Sequence, residues 1–163
     1  MGGATPFGVY GSRSIVHMHG GGSTNGGSVT PKALVRAFVA AVNHRDWQTI
    51  ESLVAIDFVR HSIAAGEPGV HSRQELIQFL RAEYVTFPDA SEEIAEILSD
   101  GDKVAVRMRF RGTQAGSLGT YPPTNKAVHS EYLAIYRIER RLIVEAWAEW
   151  DNLASLKQLG HLQ

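Results

Sequence analysis

The hydrophobic pattern of this chain changes its period near residue 90, and that change strongly constrains the fold. Before this point, residues 34–42 place apolar side chains at helical spacing. After it, apolar and polar side chains alternate along residues 104–111, which is typical of a strand with one buried face. Helices followed by strands predict an α+β fold, with an antiparallel sheet curled around a layer of helices.

Local signals divide the first half of the chain into three predicted helices. A hydroxyl cap and a proline begin the first at Ser28-Val29-Thr30-Pro31. Asp46 begins the second, which we expect to run through Val54 and to be followed by a short extended piece over 57–61. The capping-box pattern Ser72-Arg73-Gln74-Glu75 begins the third, and Phe87-Pro88-Asp89 ends it. A loop is predicted at Gly66, Pro68 and Gly69.

The second half of the chain predicts four strands. They lie near 91–99, near 104–110, over 127–138, and along the apolar run that ends at Asp151. Residues 29–163 therefore form one predicted domain. Residues 1–28 are rich in glycine and hold a single charged side chain, so we predict a disordered leader there.

Composition narrows the classes of partner. The formal net charge is −1, with 16 basic and 17 acidic residues, so nucleic acid and anionic membrane surfaces are not expected partners. The chain has no cysteine, which excludes disulfides and thiolate chemistry. No apolar run approaches the roughly 20 residues of a membrane span. We expect a small-molecule substrate and a cytoplasmic location.

The last predicted strand suggests a site because it ends on an acid beside two tryptophans. Strand alternation puts Glu145, Trp147, Glu149 and Asp151 on one face. A carboxylate buried against indole rings would have a raised pKa and could carry protons near neutral pH. Asp151 is therefore the first candidate for catalysis. The alternative is that Asp151 only caps a short terminal helix and that the glutamates are solvated.

Several short motifs, in this order, resemble the SnoaL-like polyketide cyclases of the NTF2-like superfamily, over roughly residues 31–160. They are Phe58-Val59-Arg60-His61, Gly66 to Gly69, Phe87-Pro88-Asp89, Gly101-Asp102-Lys103-Val104-Ala105-Val106-Arg107, Gly112-Thr113-Gln114, Tyr121-Pro122-Pro123-Thr124, and Glu145 to Asp151 followed by Gln158-Leu159-Gly160. The resemblance implies a cone-shaped fold with a pocket between sheet and helices. It also implies no metal, no organic cofactor, and homo-oligomers, dimeric or tetrameric, built through the sheet.

The resemblance further implies an aldol-type ring closure in which Asp151 is the general acid and base. His61 lies where relatives often place a pocket histidine, so it is the second catalytic candidate. Gln114 stands where a histidine is common in relatives, which weakens the transfer of this mechanism. The residues assigned to substrate contact are Trp147, Glu149, Gln114, His129, Phe58 and Tyr84.

Two other functions stay open at this point. One is an NTF2-like epoxide hydrolase, which requires an arginine between Asp151 and another acid, with Arg107, Arg109 and Arg137 as suppliers. The other is a module that binds a small ligand or oligomerises without catalysis, because one fold hosts many functions. Glu149 either faces the pocket or pairs with an arginine of a neighbouring strand.

Overall fold

The computed structural model describes residues 29–62 and 69–163. The predicted leader over 1–28 and most of the predicted loop, including Gly66 and Pro68, lie outside the described residues. Within the described residues, no helix is both long enough and apolar enough to cross a membrane.

Residues 29–62 and 69–163 hold four helices, three of which precede most of the sheet while the fourth follows it. They are α1 (Pro31–His44), α2 (Trp47–Leu53), α3 (Arg73–Thr86) and α4 (Asn152–Leu159). The side chains of Thr30, Asp46 and Ser72 accept hydrogen bonds from backbone N–H groups in the first turns of α1, α2 and α3. These caps satisfy donors that a helix leaves unpaired at its start, so the predicted helix beginnings are confirmed.

Five strands form one curled sheet in the order β1-β5-β4-β3-β2. They are β1 (Val54–His61), β2 (Ser91–Asp100), β3 (Lys103–Thr113), β4 (Ala127–Glu139) and β5 (Leu142–Trp150). The pairs from β2 to β5 are antiparallel, whereas β1 pairs with β5 in parallel. The fold is thus the predicted α+β arrangement.

The second helix is shorter than predicted. Val54 is not its last residue but the first of β1, and the whole segment Val54–His61 is extended. Val54 is fully buried and pairs with Ile143 of β5, so tertiary packing overrides the helical spacing of the apolar residues here.

The sheet has an inner face packed against the helices and an outer face on the other side. Inner positions of β3 and β4 are buried, including Val106, Met108 and Tyr132. The outer face carries Arg107, Arg109, Leu133, Ile135 and Trp147. This alternation matches the pattern from which β3 was predicted, and it decides which side chains can reach a cavity between sheet and helices.

Candidate functional site

A cavity of about 530 Å³ lies between α3 and the inner face of the sheet. From α3 it is lined by Gln78, Phe79, Ala82, Glu83 and Thr86, and from the sheet by Phe110, Val128, Ser130 and Trp150. Leu118 and Asn152 contribute from the loop before β4 and from the start of α4. The lining is mostly apolar with a few polar groups, which is typical of a small-molecule site.

The carboxyl groups in the cavity wall come from α3. Glu75 and Glu83 line the cavity eight positions apart on this helix. Glu75 is engaged at the helix start, where its Oε2 accepts a 2.7 Å hydrogen bond from the His71 N–H. Glu83 is half-buried and lies toward the end of the helix. Phe79 and Thr86 on the same side of α3 also line the cavity, so Glu83 is a candidate acid to meet a bound molecule.

Trp150 forms part of the opposite wall. Its ring stacks on Tyr132 with 3.9 Å between ring centroids and meets the edge of Phe110 at 5.9 Å. The indole Nε1–H is buried and has no hydrogen-bond acceptor among the described residues. A buried donor without an acceptor is uncommon in folded proteins, and a functional role is one explanation for such a donor.

Behind this wall, the half-buried Glu92 of β2 and the buried Tyr132 of β4 form a polar pair. The Tyr132 hydroxyl donates a 2.6 Å hydrogen bond to Glu92 Oε1. Burial raises the pKa of Glu92, while the hydrogen bond from Tyr132 and the charge of Arg60 oppose that rise. Burial also raises the pKa of Tyr132 well above its ordinary value, so this hydroxyl stays protonated as a donor.

Asp151 does not lie in this cavity, although Trp150 and Asn152 on either side of it line the wall. Asp151 is exposed, and its Oδ1 accepts a 2.9 Å hydrogen bond from the Ala154 N–H at the start of α4. The expectation of a carboxyl buried against indole rings is therefore wrong. Asp151 does cap a short terminal helix, which is one part of the alternative. Its catalytic role remains a prediction.

His61 and Trp147 lie together on the outer face and not in the cavity. Their rings stack with 5.1 Å between centroids, and His61 Nε2 is 2.7 Å from Glu145 Oε1. Arg137 Nε donates to the other oxygen of Glu145 at 2.7 Å. Hydrogen bonds from Arg137 and then from His61 lower the pKa of Glu145. The predicted placement of His61 in the pocket is wrong, because the partners of His61 lie on the sheet face opposite the cavity.

Three further residues that were predicted to contact the substrate make structural contacts instead. They are Phe58, Tyr84 and Gln114. Phe58 is buried in the core at 2 % exposure. The Tyr84 hydroxyl donates to the Val42 carbonyl at 2.6 Å and so joins α3 to α1. Gln114 is completely buried and bonds Thr124 and His161, which ties the loop before β4 to the C-terminal residues. None of the three contributes to the cavity lining.

His129 and Glu149 are both exposed. His129 borders a second, more polar depression of about 430 Å³, and its backbone is bound on both sides by the Gln158 amide. Glu149 lies opposite Leu133 on the outer face, and no ion pair of Glu149 is found among the described residues. Neither of the two alternatives for Glu149 is therefore seen.

The strand arginines bind glutamates on the outer face. Arg107 joins Glu96 and Glu131, at 2.9 and 2.8 Å, and Arg109 also contacts Glu131. Arg137 bridges Glu139 and Glu145. None of these arginines lines the cavity, so the acid–arginine–acid arrangement required of the hydrolase is not found there. In the part of the chain that the structure describes, no cluster of three or more potential metal-ligating side chains occurs.

Sequence reasoning missed Glu83 and Glu92, and it did not assign Trp150 to substrate contact. Glu83 belongs to a helical stripe with Glu75 and Phe79 that lies beside the core stripe of α3, and this spacing was available as a signal. Glu92 pairs with Phe110, and Tyr132 with Trp150, so both acid and indole face inward. That inference requires the strand register, which sequence alone does not give.

The curled sheet, the helix layer and the cavity between them define an α+β fold of the NTF2-like class. The family model for the SnoaL-like polyketide cyclase matches residues 32–159. The chain belongs to this family.

The chain is also similar to several solved structures. The chain is similar to wild-type IdmH, a candidate polyketide cyclase from Streptomyces antibioticus, with 30% identity, 80% of this chain and 98% of that chain covered, and a TM-score of 0.69. AclR, a candidate hydroxylase from Streptomyces galilaeus, is 27% identical, with 82% of this chain and 97% of that chain covered and a TM-score of 0.69. TsrD from Streptomyces laurentii is 25% identical, with 80% of this chain and 95% of that chain covered and a TM-score of 0.71. No curated protein matches the chain.

Proposed function

We propose that this protein is a cofactor-independent cyclase or isomerase that transfers protons on a carbonyl-rich, polyketide-like small molecule bound between α3 and the sheet. The observation that carries the proposal is the Glu83 carboxyl in the wall of a mostly apolar cavity of about 530 Å³. Membership of the SnoaL-like polyketide cyclase family and the likeness to IdmH support the reaction class.

The proposed reaction is an intramolecular aldol closure. The Glu83 carboxylate takes a proton from a carbon flanked by two carbonyls, and the resulting enolate carbon forms a bond to a second carbonyl carbon. The carboxyl then returns the proton to the oxygen that becomes a hydroxyl. Conjugation within the substrate spreads the enolate charge, so the protein supplies position and proton transfer, worth about 10²- to 10⁴-fold for general acid–base catalysis.

Trp150 is the proposed donor to the substrate. Its buried N–H has no acceptor among the described residues, and a substrate carbonyl that reached it would supply one. Phe79, Phe87 and Phe110 form apolar and aromatic walls suited to a flat, conjugated molecule.

The test compares Glu83→Gln with Asp151→Asn, which are matched removals of one carboxylate each. Ring closure of aromatic polyketide β-ketoesters is followed by liquid chromatography with mass spectrometry. Glu83→Gln should reduce kcat by about 100-fold or more, because the proton carrier is lost. Asp151→Asn should keep near wild-type kcat, since asparagine also caps a helix. The reverse pattern would overturn the assignment of Glu83 and favour Asp151.

A second function, ligand binding without catalysis, is favoured by the position of Asp151. The acid that the family resemblance makes the proton carrier is exposed and occupied as a helix cap. Under this function, the wild type binds the β-ketoester in calorimetry but does not convert it.

A further inference from the structure

We infer that Glu92 is a positioning residue of the cavity, because it holds the Tyr132 ring on which the Trp150 indole rests. The inference rests on the proposed function only in taking the cavity as the ligand site. Glu92 does not line the cavity itself, and it acts through two other side chains.

The first step is the anchoring of Glu92. Its backbone is clamped by Asn43 of α1, which accepts from the Glu92 N–H and donates to the Glu92 carbonyl, both at 2.8 Å. In the sheet, Glu92 lies opposite Phe110 and points to the inner face. The backbone of Glu92 is thus fixed where α1 meets β2.

The second step joins the carboxyl to the cavity wall. Glu92 Oε1 accepts the Tyr132 hydroxyl at 2.6 Å, which fixes the far end of that ring. Trp150 stacks on the same ring at 3.9 Å with 19° between the planes. A rotation of Tyr132 would therefore move the surface against which the indole lies.

The third step is that Trp150 lacks a hydrogen bond of its own among the described residues. A tryptophan is commonly oriented by its indole N–H as well as by packing. In this site its orientation depends on ring contacts, with Tyr132 on one face and the Phe110 edge at 5.9 Å. The hydrogen bond to Glu92 therefore supplies orientation that the indole does not obtain directly.

The test uses a background in which Trp150 is the only tryptophan. The chain has three tryptophans, so W47F and W147F together leave only Trp150 as the reporter. Y132F is then added to remove the hydroxyl that binds Glu92. Y136F is the matched control, since Tyr136 is a buried tyrosine of the same strand face that packs on Phe38. E92A removes the acceptor, whereas E92Q retains one.

Two readouts are independent of turnover: acrylamide quenching of Trp150 fluorescence, and the Kd for the apolar dye anilinonaphthalene sulfonate (ANS). Y132F and E92A should increase quenching, shift the emission to the red and raise the dye Kd by about two- to tenfold, the range expected for one lost hydrogen bond. E92Q and Y136F should stay close to the background protein.

The inference is overturned if Y132F leaves both quenching and dye affinity unchanged. It is also overturned if Y136F changes them as much as Y132F, because the effect would then be general loosening of the core. Loss of ring-closure activity in Glu83→Gln plays no part in these readouts. A failure of the proposed reaction and a failure of the positioning role are therefore distinguishable.

Discussion

At the scale of single residues, three glutamates on the two faces of the sheet have pKa shifts of opposite direction. Side-chain hydrogen bonds from arginines lower the pKa of Glu131 and Glu145 on the outer face. Burial raises the pKa of Glu92 on the inner side. Glu131 and Glu145 stabilise the fold above the ordinary carboxyl pKa, and this contribution is lost as the pH falls through the lowered values. The contribution of Glu92 to stability has the opposite dependence on pH.

We predict that Glu92 makes the wild type less stable, relative to Glu92→Gln, as the pH rises. The folded state binds the Glu92 proton more tightly than the unfolded chain does. Its contribution is therefore fully present below the unfolded pKa and is lost as the pH rises through the raised folded pKa. Urea unfolding of both proteins between about pH 4 and pH 8 gives the difference in free energy of unfolding.

Wild type and Glu92→Gln both retain Glu131 and Glu145. The contributions of these two residues therefore cancel in the difference between the free energies of unfolding. Glu93→Gln is the control, because Glu93 is exposed on the neighbouring position and contacts Arg109 at 3.5 Å. The Glu93 variant retains Glu92, so its free energy of unfolding should change with pH in parallel with that of the wild type. Parallel curves for wild type and Glu92→Gln would contradict the prediction.

At the scale of elements, α4 depends on both of its caps. Asp151 accepts from the Ala154 N–H at the start, and Gly160 ends the helix with a φ of 80°, which glycine adopts without strain. Leu159 of this helix is buried at 1 % exposure and lines the cavity. The cap of α4 therefore helps to hold one part of the cavity wall.

We predict that Asp151→Ala destabilises the protein by about 0.5 to 2 kcal/mol, the usual cost of losing a helix N-cap. Asp151→Asn should cost much less, because its side-chain oxygen still accepts from Ala154. Thermal and urea unfolding measure both variants. Equal stability of the alanine variant and the wild type would show that the cap is not needed. In the activity assay, comparison of these two variants also distinguishes the effect of a lost helix cap from the effect of a lost carboxylate.

The sequence was sufficient to predict elements that carry local signals. The capping residues Thr30, Asp46 and Ser72 and the alternation over 104–111 are properties of neighbouring residues, and they predicted the helix beginnings and the inner face of β3. The site was harder to predict, because it depends on register between distant segments. Strand alternation correctly grouped Trp147 with Glu149, but nothing local indicated that this group lies on the outer face.

At the scale of the whole molecule, the outer face of the sheet is a candidate surface for self-association. Leu133 and Ile135 are 61% and 41% exposed there, and Trp147 lies beside Ile135 in the sheet. Arginines and glutamates of both signs surround these apolar side chains, including Arg107 with Glu131. A surface that holds both signs can be complementary to its own two-fold copy, as an isologous dimer requires.

We predict that the protein forms a homodimer through this outer face and that Leu133→Glu makes it monomeric. The new carboxylate would lie in the apolar centre of the interface, where an unpaired charge is costly to bury. Sedimentation velocity measures the mass of each protein over a range of concentrations. Val85→Glu is the control, because Val85 is 72% exposed but belongs to α3 on the helical side. The control should remain dimeric. A Leu133→Glu dimer would show that the contact lies elsewhere, and a wild-type monomer at every concentration would show that there is no dimer. Because the cavity lies on the inner face, dye binding should survive in the monomer, which separates assembly from ligand binding.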